Sequence, residues 1–264
     1  MKPVADLHIH TTASDGLLSV PELPTVAANA GLHTVAVTDH DRLCPTLEDP
    51  IQTIDGITVI RGIELKVAPA SAPELDLLAY AVRETTALSS LLEEIQADRK
   101  ARGRRMIALV ENHLDITLDI TIRTGIGRPH IARAVAAHAA VDLDETDVFR
   151  ELIGDSGPCY VERTVPSLER AVAILDEACP VIAVAHPLRA TDPDAALDIA
   201  RRVGAVERWY AYRHPVDETP VIAAIEENDL LATGGSDAHG RTLGTAGVPR
   251  DDFAPIASAL GLSG

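Results

Sequence analysis

The most constraining feature of the sequence is the stretch DLHIH at residues 6–10. Residues 4–9 alternate in hydrophobicity, which predicts a short β-strand. His8 and His10 are two residues apart, so on a strand both imidazoles point to the same face. Two imidazoles at that spacing can chelate one metal ion, and Asp15 follows within one loop, near enough to reach a neighbouring ion. We therefore expect the rest of the chain to bring further ligands to this strand.

The length and charge of the chain limit the classes of partner. Its 264 residues suffice for one large α/β domain, or for a domain with a sizeable insertion. The formal net charge of −17 argues against broad electrostatic binding to long nucleic acid or to an anionic membrane. A small anionic substrate is compatible with that charge, because bound divalent cations reverse its sign locally. No oligomeric state follows from these properties.

Cysteine usage and hydropathy favour a cytoplasmic protein. Three widely spaced cysteines, Cys44, Cys159 and Cys179, form neither a disulfide framework nor a Cys-x-x-Cys metal motif, which suits a reducing compartment. The sequence shows no signal peptide and no apolar run approaching the roughly 18 residues of a membrane-spanning helix. We expect no membrane attachment.

The order of predicted strands and helices indicates the fold class. Seven strand-like runs occur, at residues 4–9, 34–38, 57–63, 75–80, 181–185, 205–210 and 230–234. Predicted helices separate most of them, and this alternation predicts a parallel sheet or a βα barrel. Residues 85–170 interrupt it with segments that are mostly helical. We interpret residues 1–84 and 171–264 as one barrel and residues 85–170 as a helical insertion.

Histidines and carboxylates follow the carboxyl ends of successive predicted strands. The residues concerned are His8, His10, His40, Glu64, His186, Asp237 and His239. Active sites of βα barrels are built at that end. Asp15 and His130 join the same candidate cluster, whereas His33, His113 and His138 are interpreted as ordinary core or surface residues.

The residue types of this cluster indicate its chemistry. Imidazoles and carboxylates without thiolates suit Zn²⁺, Mn²⁺ or Fe²⁺. The candidate ligands are too many for one ion, so two or three ions are expected. A site of this type activates a hydroxide and clamps the oxygens of a phosphate during in-line displacement. The implied reaction is hydrolysis of a phosphate ester.

Six short motifs, taken in order, resemble those of one enzyme family. They are Asp6-x-His8-x-His10, Ser14-Asp15-Gly16, Thr38-Asp39-His40, Gly62-Ile63-Glu64, Ala185-His186-Pro187 and Ser236-Asp237-x-His239. Together they cover nearly the whole chain and resemble the PHP (polymerase and histidinol phosphatase) family. The resemblance implies a metal-dependent phosphoesterase with an α/β fold, a distorted seven-stranded (β/α)7 barrel. Residues 127–130 (GRPH) in the insertion are similar to the branch of 3′,5′-nucleoside bisphosphate phosphatases, some of which also act as 5′→3′ exonucleases on short RNA.

The resemblance also implies how the ligands divide among the ions. One ion would be held by His8, His10, Glu64 and Asp237, and a second by Asp15, His40 and His239. Glu64 would bridge to a third ion, which His186 also binds. Asp76 stands where this branch usually carries a histidine, so that third site would be weak, empty or selective for a harder ion such as Mn²⁺ or Mg²⁺. We expect two firmly held ions and one labile ion, with Mn²⁺ preferred and Zn²⁺, Fe²⁺ or Mg²⁺ as alternatives.

Substrate contacts are expected chiefly from the insertion. The planar guanidinium of Arg128 can bind two phosphate oxygens at once, and His130 lies near a predicted helix start, where anions also bind. His130 could instead be a metal ligand. Arg99 and Arg102 match a basic patch that holds a phosphate in the branch that the chain resembles, and each could equally lie on a solvated helix face.

Three further residues receive provisional roles. His214 follows a predicted strand end and could contact the substrate or protonate the leaving group. Asp39 is expected to orient a ligand histidine, a common support of metal sites, and Asp6 could act in the same way.

The first hypothesis is an enzyme that removes the 3′-phosphate from a small nucleoside 3′,5′-bisphosphate by means of a metal-activated hydroxide. Alternative substrates are the 5′ end of short RNA, histidinol phosphate or a cyclic phosphoribosyl ester. A non-catalytic metal- or nucleotide-binding protein is a second class, supported only by Asp76. A metal-dependent amidohydrolase ranks last, because Glu64 rather than a carbamylated lysine stands at the strand end and Lys66 lies past it.

Overall fold

The computed structural model describes residues 2–262. They form two compact units. The first contains the chain up to Ser90 and again from Val165 onward, and the second is Leu91–Thr164. The division into barrel and insertion at residues 85 and 170 stays a prediction.

The first unit contains two five-stranded sheets. One consists of β1 (Pro3–Ile9), β2 (Thr34–Val37), β3 (Ile51–Ile54), β4 (Ile57–Arg61) and β10 (Val248–Pro249), in the spatial order β10-β1-β2-β4-β3. The other consists of β5 (Ile63–Val67), β6 (Leu75–Tyr80), β7 (Val181–Val184), β8 (Ala205–Tyr210) and β9 (Leu231–Gly235), in the order β5-β6-β7-β8-β9. The α/β fold class is as expected.

The strand directions differ from the expected all-parallel arrangement. The β1–β2, β2–β4, β7–β8 and β8–β9 pairs are parallel, but β1–β10, β3–β4, β5–β6 and β6–β7 are antiparallel. The physical reason is clearest at β5–β6, where residues 68–74 are too few for the crossover that parallel neighbours need. Isolated parallel bridges, Ile9 to Ala238 and His40 to Glu64, connect strands of the two sheets. A closed seven-stranded barrel is not observed among residues 2–262 and stays a prediction.

The helices lie between and after the strands. They are α1 (Leu23–Ala30), α2 (Thr86–Leu114), α3 (Arg128–Ala136), α4 (Glu145–Val148), α5 (Leu168–Ala178), α6 (Pro193–Val203), α7 (Thr219–Asn228) and α8 (Phe253–Ala259). Local signals delimit several of them: Ser167 and Asp192 cap α5 and α6, and Gly31 and Gly204 end α1 and α6 in the left-handed conformation. Within the described part of the chain, we find no helix whose length and hydrophobicity would allow it to cross a membrane.

The single strand expected at residues 57–63 is two strands. Gly62 separates β4 from β5, and the two belong to different sheets. A Cβ atom on Gly62 would lie 2.7 Å from Ala79 O and 2.9 Å from Thr38 Cγ2, so only glycine fits where the chain passes from one sheet to the other. Glu64 is therefore the second residue after the chain passes from one sheet to the other.

The second unit is less helical than expected. Residues 115–127 form no helix, although residues 113–170 are predicted to be mostly helical. Asp115 has a positive φ of 53°, which ends α2. The isoleucines that follow alternate with polar residues, and Ile116, Ile120 and Ile122 pack, outside any regular secondary structure, against a core that includes Val110. The apolar spacing here has a period near two, which favours extended chain over helix.

We expect Gly62→Ala to destabilise the first unit by about 1–3 kcal/mol, the usual cost of overpacking. Urea denaturation followed by circular dichroism measures the change. Gly240→Ala is the matched control, because a Cβ at Gly240 would meet nothing within 4 Å. Equal stability of the two variants would show that β4 and β5 can separate to admit a methyl group.

Candidate metal centre

The structure brings together the nine residues that the family resemblance implies as ligands, and His130, the alternative candidate, is not among them. They fall into three groups, each with one ligand atom per residue and all such atoms within 4.8 Å of one another: His10, Asp15, His40 and His239; His8, His10, Glu64 and Asp237; and Glu64, Asp76 and His186. His10 belongs to two groups and so does Glu64. The three groups are therefore parts of one continuous centre.

Strand geometry places these side chains. His8 lies within β1 and His10 directly follows it, and both are almost fully buried. The loops after β2, β7 and β9 carry His40, His186 and Asp237. Because β1, β2 and β9 run in parallel, their carboxyl ends meet at one edge, as in other α/β proteins.

The His8–His10–Glu64–Asp237 group shows the strongest sign of a cation site. His8 Nε2 and His10 Nε2 lie 3.1–3.5 Å from Glu64 Oε2 and Asp237 Oδ1. All four atoms are buried, and none has a hydrogen-bond partner among residues 2–262. Buried polar atoms are normally hydrogen-bonded, so four that converge without partners fit a metal ion.

The charges in this group show how strongly it favours a cation. Burial alone would lower the pKa of His8, but the negative charges of Glu207, Glu64 and Asp237 outweigh burial and raise that pKa well above its ordinary value. Burial would raise the pKa of Glu64, but His40 and His8 hold it well below its ordinary range. Protons and a metal ion therefore compete for the same positions, and metal binding should release protons.

The group of His10, Asp15, His40 and His239 lies beside it. Asp15 carboxylate oxygens lie 3.9 Å from His40 Nε2 and 3.5 Å from His239 Nε2. Burial, and the neighbouring His10, lower the pKa of His239. A neutral imidazole is the form that binds metal, so this environment prepares His239 as a ligand.

The group of Glu64, Asp76 and His186 differs from the other two. His186 Nε2 lies 3.0 Å from Glu64 Oε1, and the backbone at His186 has a positive φ of 28°. Asp76 Oδ2 accepts a hydrogen bond of 3.0 Å from Lys66 Nζ. One carboxylate of this group, Asp76, is thus already paired with a cationic side chain, Lys66.

Comparison with protein-family models assigns the chain to a family. A family model described as the PHP domain matches residues 6–150. The chain belongs to the PHP domain family. Six residues of the ligand groups lie within the matched range, and His186, Asp237 and His239 lie after it.

Several characterised proteins are similar to this PHP chain. It is 28% identical over 266 residues to a 3′,5′-nucleoside bisphosphate phosphatase of Chromobacterium violaceum, covering 95% of this chain and 93% of the relative. It is 24% identical over 248 residues to a phosphoribosyl 1,2-cyclic phosphate 1,2-diphosphodiesterase of Eggerthella lenta, covering 90% and 95%. It is 26% identical over 251 residues to the 5′-3′ exoribonuclease Rnm of Escherichia coli, covering 89% and 85%. A solved structure from Bifidobacterium adolescentis, described as a candidate metal-dependent phosphoesterase, superposes with a TM-score of 0.80 at 25% identity over 98% of both chains.

Asp39 supports the PHP centre differently from the expectation. Its carboxylate accepts hydrogen bonds from Thr11 N at 2.8 Å, Thr11 Oγ1 at 2.7 Å and Ser14 Oγ at 2.5 Å. Among the described residues it accepts none from a ligand histidine, because its two oxygens are taken by the loop after β1. Asp39 therefore orders the loop that carries Asp15.

Asp6, which lies on β1, orders a second loop in a comparable way. It accepts hydrogen bonds from Ser236 N at 2.9 Å, Ser236 Oγ at 2.6 Å and Gly244 N at 2.8 Å. Burial raises its pKa to about 6, against the opposing effect of these hydrogen bonds. Asp6 fixes the segment that contains Asp237.

Three further residues support the ligands and were not found from the sequence. Glu207, fully buried on β8, lies 3.0 Å from His8 Nδ1 and accepts a 2.7 Å hydrogen bond from the backbone N–H of His186. Tyr210 donates to Asp237 Oδ2 at 2.7 Å, and Arg189 donates to the same oxygen at 3.2 Å. Glu207 is the single carboxylate of β8, and this was a signal in the sequence. Nothing in the sequence pattern marks Tyr210 or Arg189.

The three arginines expected to bind substrate lie together within the second unit. Arg99, Arg102 and Arg128 line one small pocket together with Gly127 at the start of α3. Burial, and the neighbouring Arg128, Arg163 and Arg99, lower the pKa of Arg102 to about 10. Several arginines held this close repel one another, which favours an anion between them.

His130 and His214 belong to none of the three groups among the described residues. His130 Nδ1 accepts a hydrogen bond from Gly127 N at 3.1 Å, and His130 Nε2 lies 2.9 Å from Arg123 Nη2. Both ring nitrogens thus face protein donors, which disfavours a ligand role for His130. His214 is exposed after β8.

We expect Glu207→Gln to weaken metal binding by about 10–100-fold, the usual effect of losing a partner behind a ligand histidine. The reason is that the uncharged amide no longer favours the His8 tautomer whose Nε2 faces Glu64 and Asp237. Titration of chelator-treated protein with Mn²⁺, followed by calorimetry, measures the affinity. Exposed Glu227→Gln is the control, and unchanged affinity in Glu207→Gln would contradict the assigned role.

Proposed function

We propose that the chain removes the 3′-phosphate from a nucleoside 3′,5′-bisphosphate. The chain is a metal-dependent phosphoesterase of the PHP family, in keeping with its relatives and with the Bifidobacterium structure. The observation that carries the proposal is the centre itself, three groups of imidazoles and carboxylates joined through His10 and Glu64.

The proposed ligands follow from these groups. His8, His10, Glu64 and Asp237 would hold one divalent ion, and Asp15, His40 and His239, together with His10, a second. When bound, such ions supply a nucleophile by lowering the pKa of water and stabilise the charge on the reacting phosphate. Mn²⁺ is the proposed metal, because carboxylates and imidazoles together suit it.

The residues of the chain orient this chemistry. Tyr210 and Arg189 engage one oxygen of Asp237 and leave the other directed at His8 and His10. Asp39 orders the loop that carries Asp15. His214 is proposed as a substrate contact or as the donor of a proton to the leaving group.

The arginines of the second unit are proposed as substrate contacts. Arg99, Arg102 and Arg128 are suited to bind a phosphate group. The Chromobacterium relative is named for a bisphosphate substrate.

Other phosphate esters are the second candidate. The Eggerthella relative is named for a cyclic phosphoribosyl substrate and the Escherichia relative for RNA, both at similar identity. Long nucleic acid is therefore a substrate to be tested, despite the net charge of −17.

The test is phosphate release by Mn²⁺-loaded protein from adenosine 3′,5′-bisphosphate. Adenosine 5′-monophosphate, histidinol phosphate, a phosphoribosyl cyclic phosphate and a 5′-phosphorylated trinucleotide are assayed in parallel. We expect fast release from the bisphosphate, absent in His8→Ala/His10→Ala and retained in exposed His33→Ala. Faster turnover of the cyclic ester or the trinucleotide would replace the proposed substrate, and no turnover with metal bound would favour a binding protein.

We expect Arg128→Ala to raise KM for the bisphosphate about tenfold or more, since hydrogen bonds to a charged group contribute about 1.5–3 kcal/mol. The monophosphate should show a much smaller change, because it lacks the second phosphate. Steady-state kinetics on both substrates measures the ratio. Exposed Arg104→Ala is the control, and an equal rise for both substrates would contradict a role for Arg128 in recognising a second phosphate.

A further inference from the structure

We propose that the ammonium of Lys66 takes the place of an ion in the Glu64–Asp76–His186 group, so that the centre holds two metal ions and one fixed side-chain cation. The inference rests on the proposed metal-dependent function and deepens it. It concerns a lysine to which the chemistry above assigns no role.

Strand register places Lys66 in this group. Lys66 and Glu64 are two residues apart on β5, so their side chains leave the same face of the sheet. In the antiparallel β5–β6 pair Lys66 lies directly opposite Asp76. Cross-strand neighbours on one face are close enough to interact, and here the two side chains form an ion pair.

Asp76 is in turn held close to His186. The backbone N–H of Ala185 donates to Asp76 O at 2.9 Å, so the residue after Ala185 lies next to the beginning of β6. Glu64 Oε1 lies 3.0 Å from His186 Nε2. The ion pair of Lys66 and Asp76 thus lies beside the atoms that a third ion would use.

The contact between Lys66 and Asp76 is the decisive one. Lys66 Nζ lies 3.0 Å from Asp76 Oδ2, and the side chains are 31% and 14% exposed. A divalent ion at Glu64, Asp76 and His186 would compete with the ammonium for the Asp76 carboxylate and would lie close to a like charge. Both effects oppose binding of the ion. Arg189 also pairs with a ligand, Asp237, but it contacts Oδ2 and leaves Oδ1 directed at His8 and His10.

The pairing of Lys66 with Asp76 also explains why an ammonium and a carboxylate occur together here. A carboxylate and an ammonium together are neutral, so the group keeps the charge of Glu64 for the neighbouring ion. An ammonium is a fixed, monovalent charge that needs no metal supply. Lys66 would therefore balance the charge of Asp76 without exchanging with solution.

The test is the number of ions bound per chain. Chelator-treated protein is loaded with excess Mn²⁺, desalted and analysed by inductively coupled plasma mass spectrometry, with protein measured by amino acid analysis. We expect two ions in the unaltered chain and three in Lys66→Met, which removes the ammonium and frees Asp76. Lys66→Arg, which keeps the charge, and Lys100→Met, a lysine of α2, should both bind two.

Anomalous diffraction at the manganese edge then locates the ions. The additional peak in Lys66→Met should lie among Glu64, Asp76 and His186. Should Lys66→Met fail to fold, Lys66→Ser/Asp76→His provides the second test, again with three ions expected.

Three ions in the unaltered chain, or two in both Lys66→Met and Lys66→Ser/Asp76→His, would overturn the inference while leaving the proposed function intact. Fewer than two ions in the unaltered chain would overturn the inference and the proposed function together. The two failures are therefore distinguishable.

Discussion

The structure depends on burying imidazoles and carboxylates with their donor atoms turned toward one another. In the group of His8, His10, Glu64 and Asp237 these atoms converge at 3.1–3.5 Å without hydrogen-bond partners among residues 2–262. An unsatisfied buried polar group costs about 1–3 kcal/mol, and an unpaired charge costs more. A divalent ion relieves this cost for all four side chains at once. Ion binding and the stability of the fold are therefore linked, as in other metal proteins.

A set of buried hydrogen bonds holds the ligands in this unfavourable arrangement. Glu207 contacts His8 with one oxygen and the backbone of His186 with the other, so one carboxylate positions members of two groups. The backbone shows where strain is accepted: His186 and Asp237 have positive φ values of 28° and 52°. Such conformations are rare for residues other than glycine and persist only where surrounding contacts enforce them. Two of the seven non-glycine residues with positive φ in the described part of the chain are therefore ligands.

The strand alternation around His8 and the histidines and carboxylates near strand ends were enough to predict an α/β chain and to select eight of the nine residues that the structure brings together. The same pattern also selected His130, which is not among them, and Asp76 was added only by the family resemblance. Periodicity does not specify strand direction, so the antiparallel β5–β6 pair could not be derived from it. The same gap concealed the partner of Asp76: Lys66 is ten residues away in sequence and becomes its neighbour only through the antiparallel register. Glu207 was missed for a related reason, since the acceptor role of a buried carboxylate depends on which distant histidine faces it. Hydrophobic patterns within one segment can be recognised in a sequence, whereas the pairing of residues from different segments depends on tertiary packing.

The hydrogen bonds of Asp6 have a consequence for biosynthesis. Its partners Ser236 and Gly244 lie 230 and 238 positions later in the chain. While the ribosome is still producing the middle of the protein, β1 lacks both β10 and the loop that carries Asp237. Contacts between such distant segments form slowly, and a strand that lacks its neighbours in the sheet is prone to aggregate. Ions can reach their complete set of ligands only after translation has passed β9, so a nascent or prematurely terminated chain holds His8 and His10 without Asp237, one of the two carboxylates that they face.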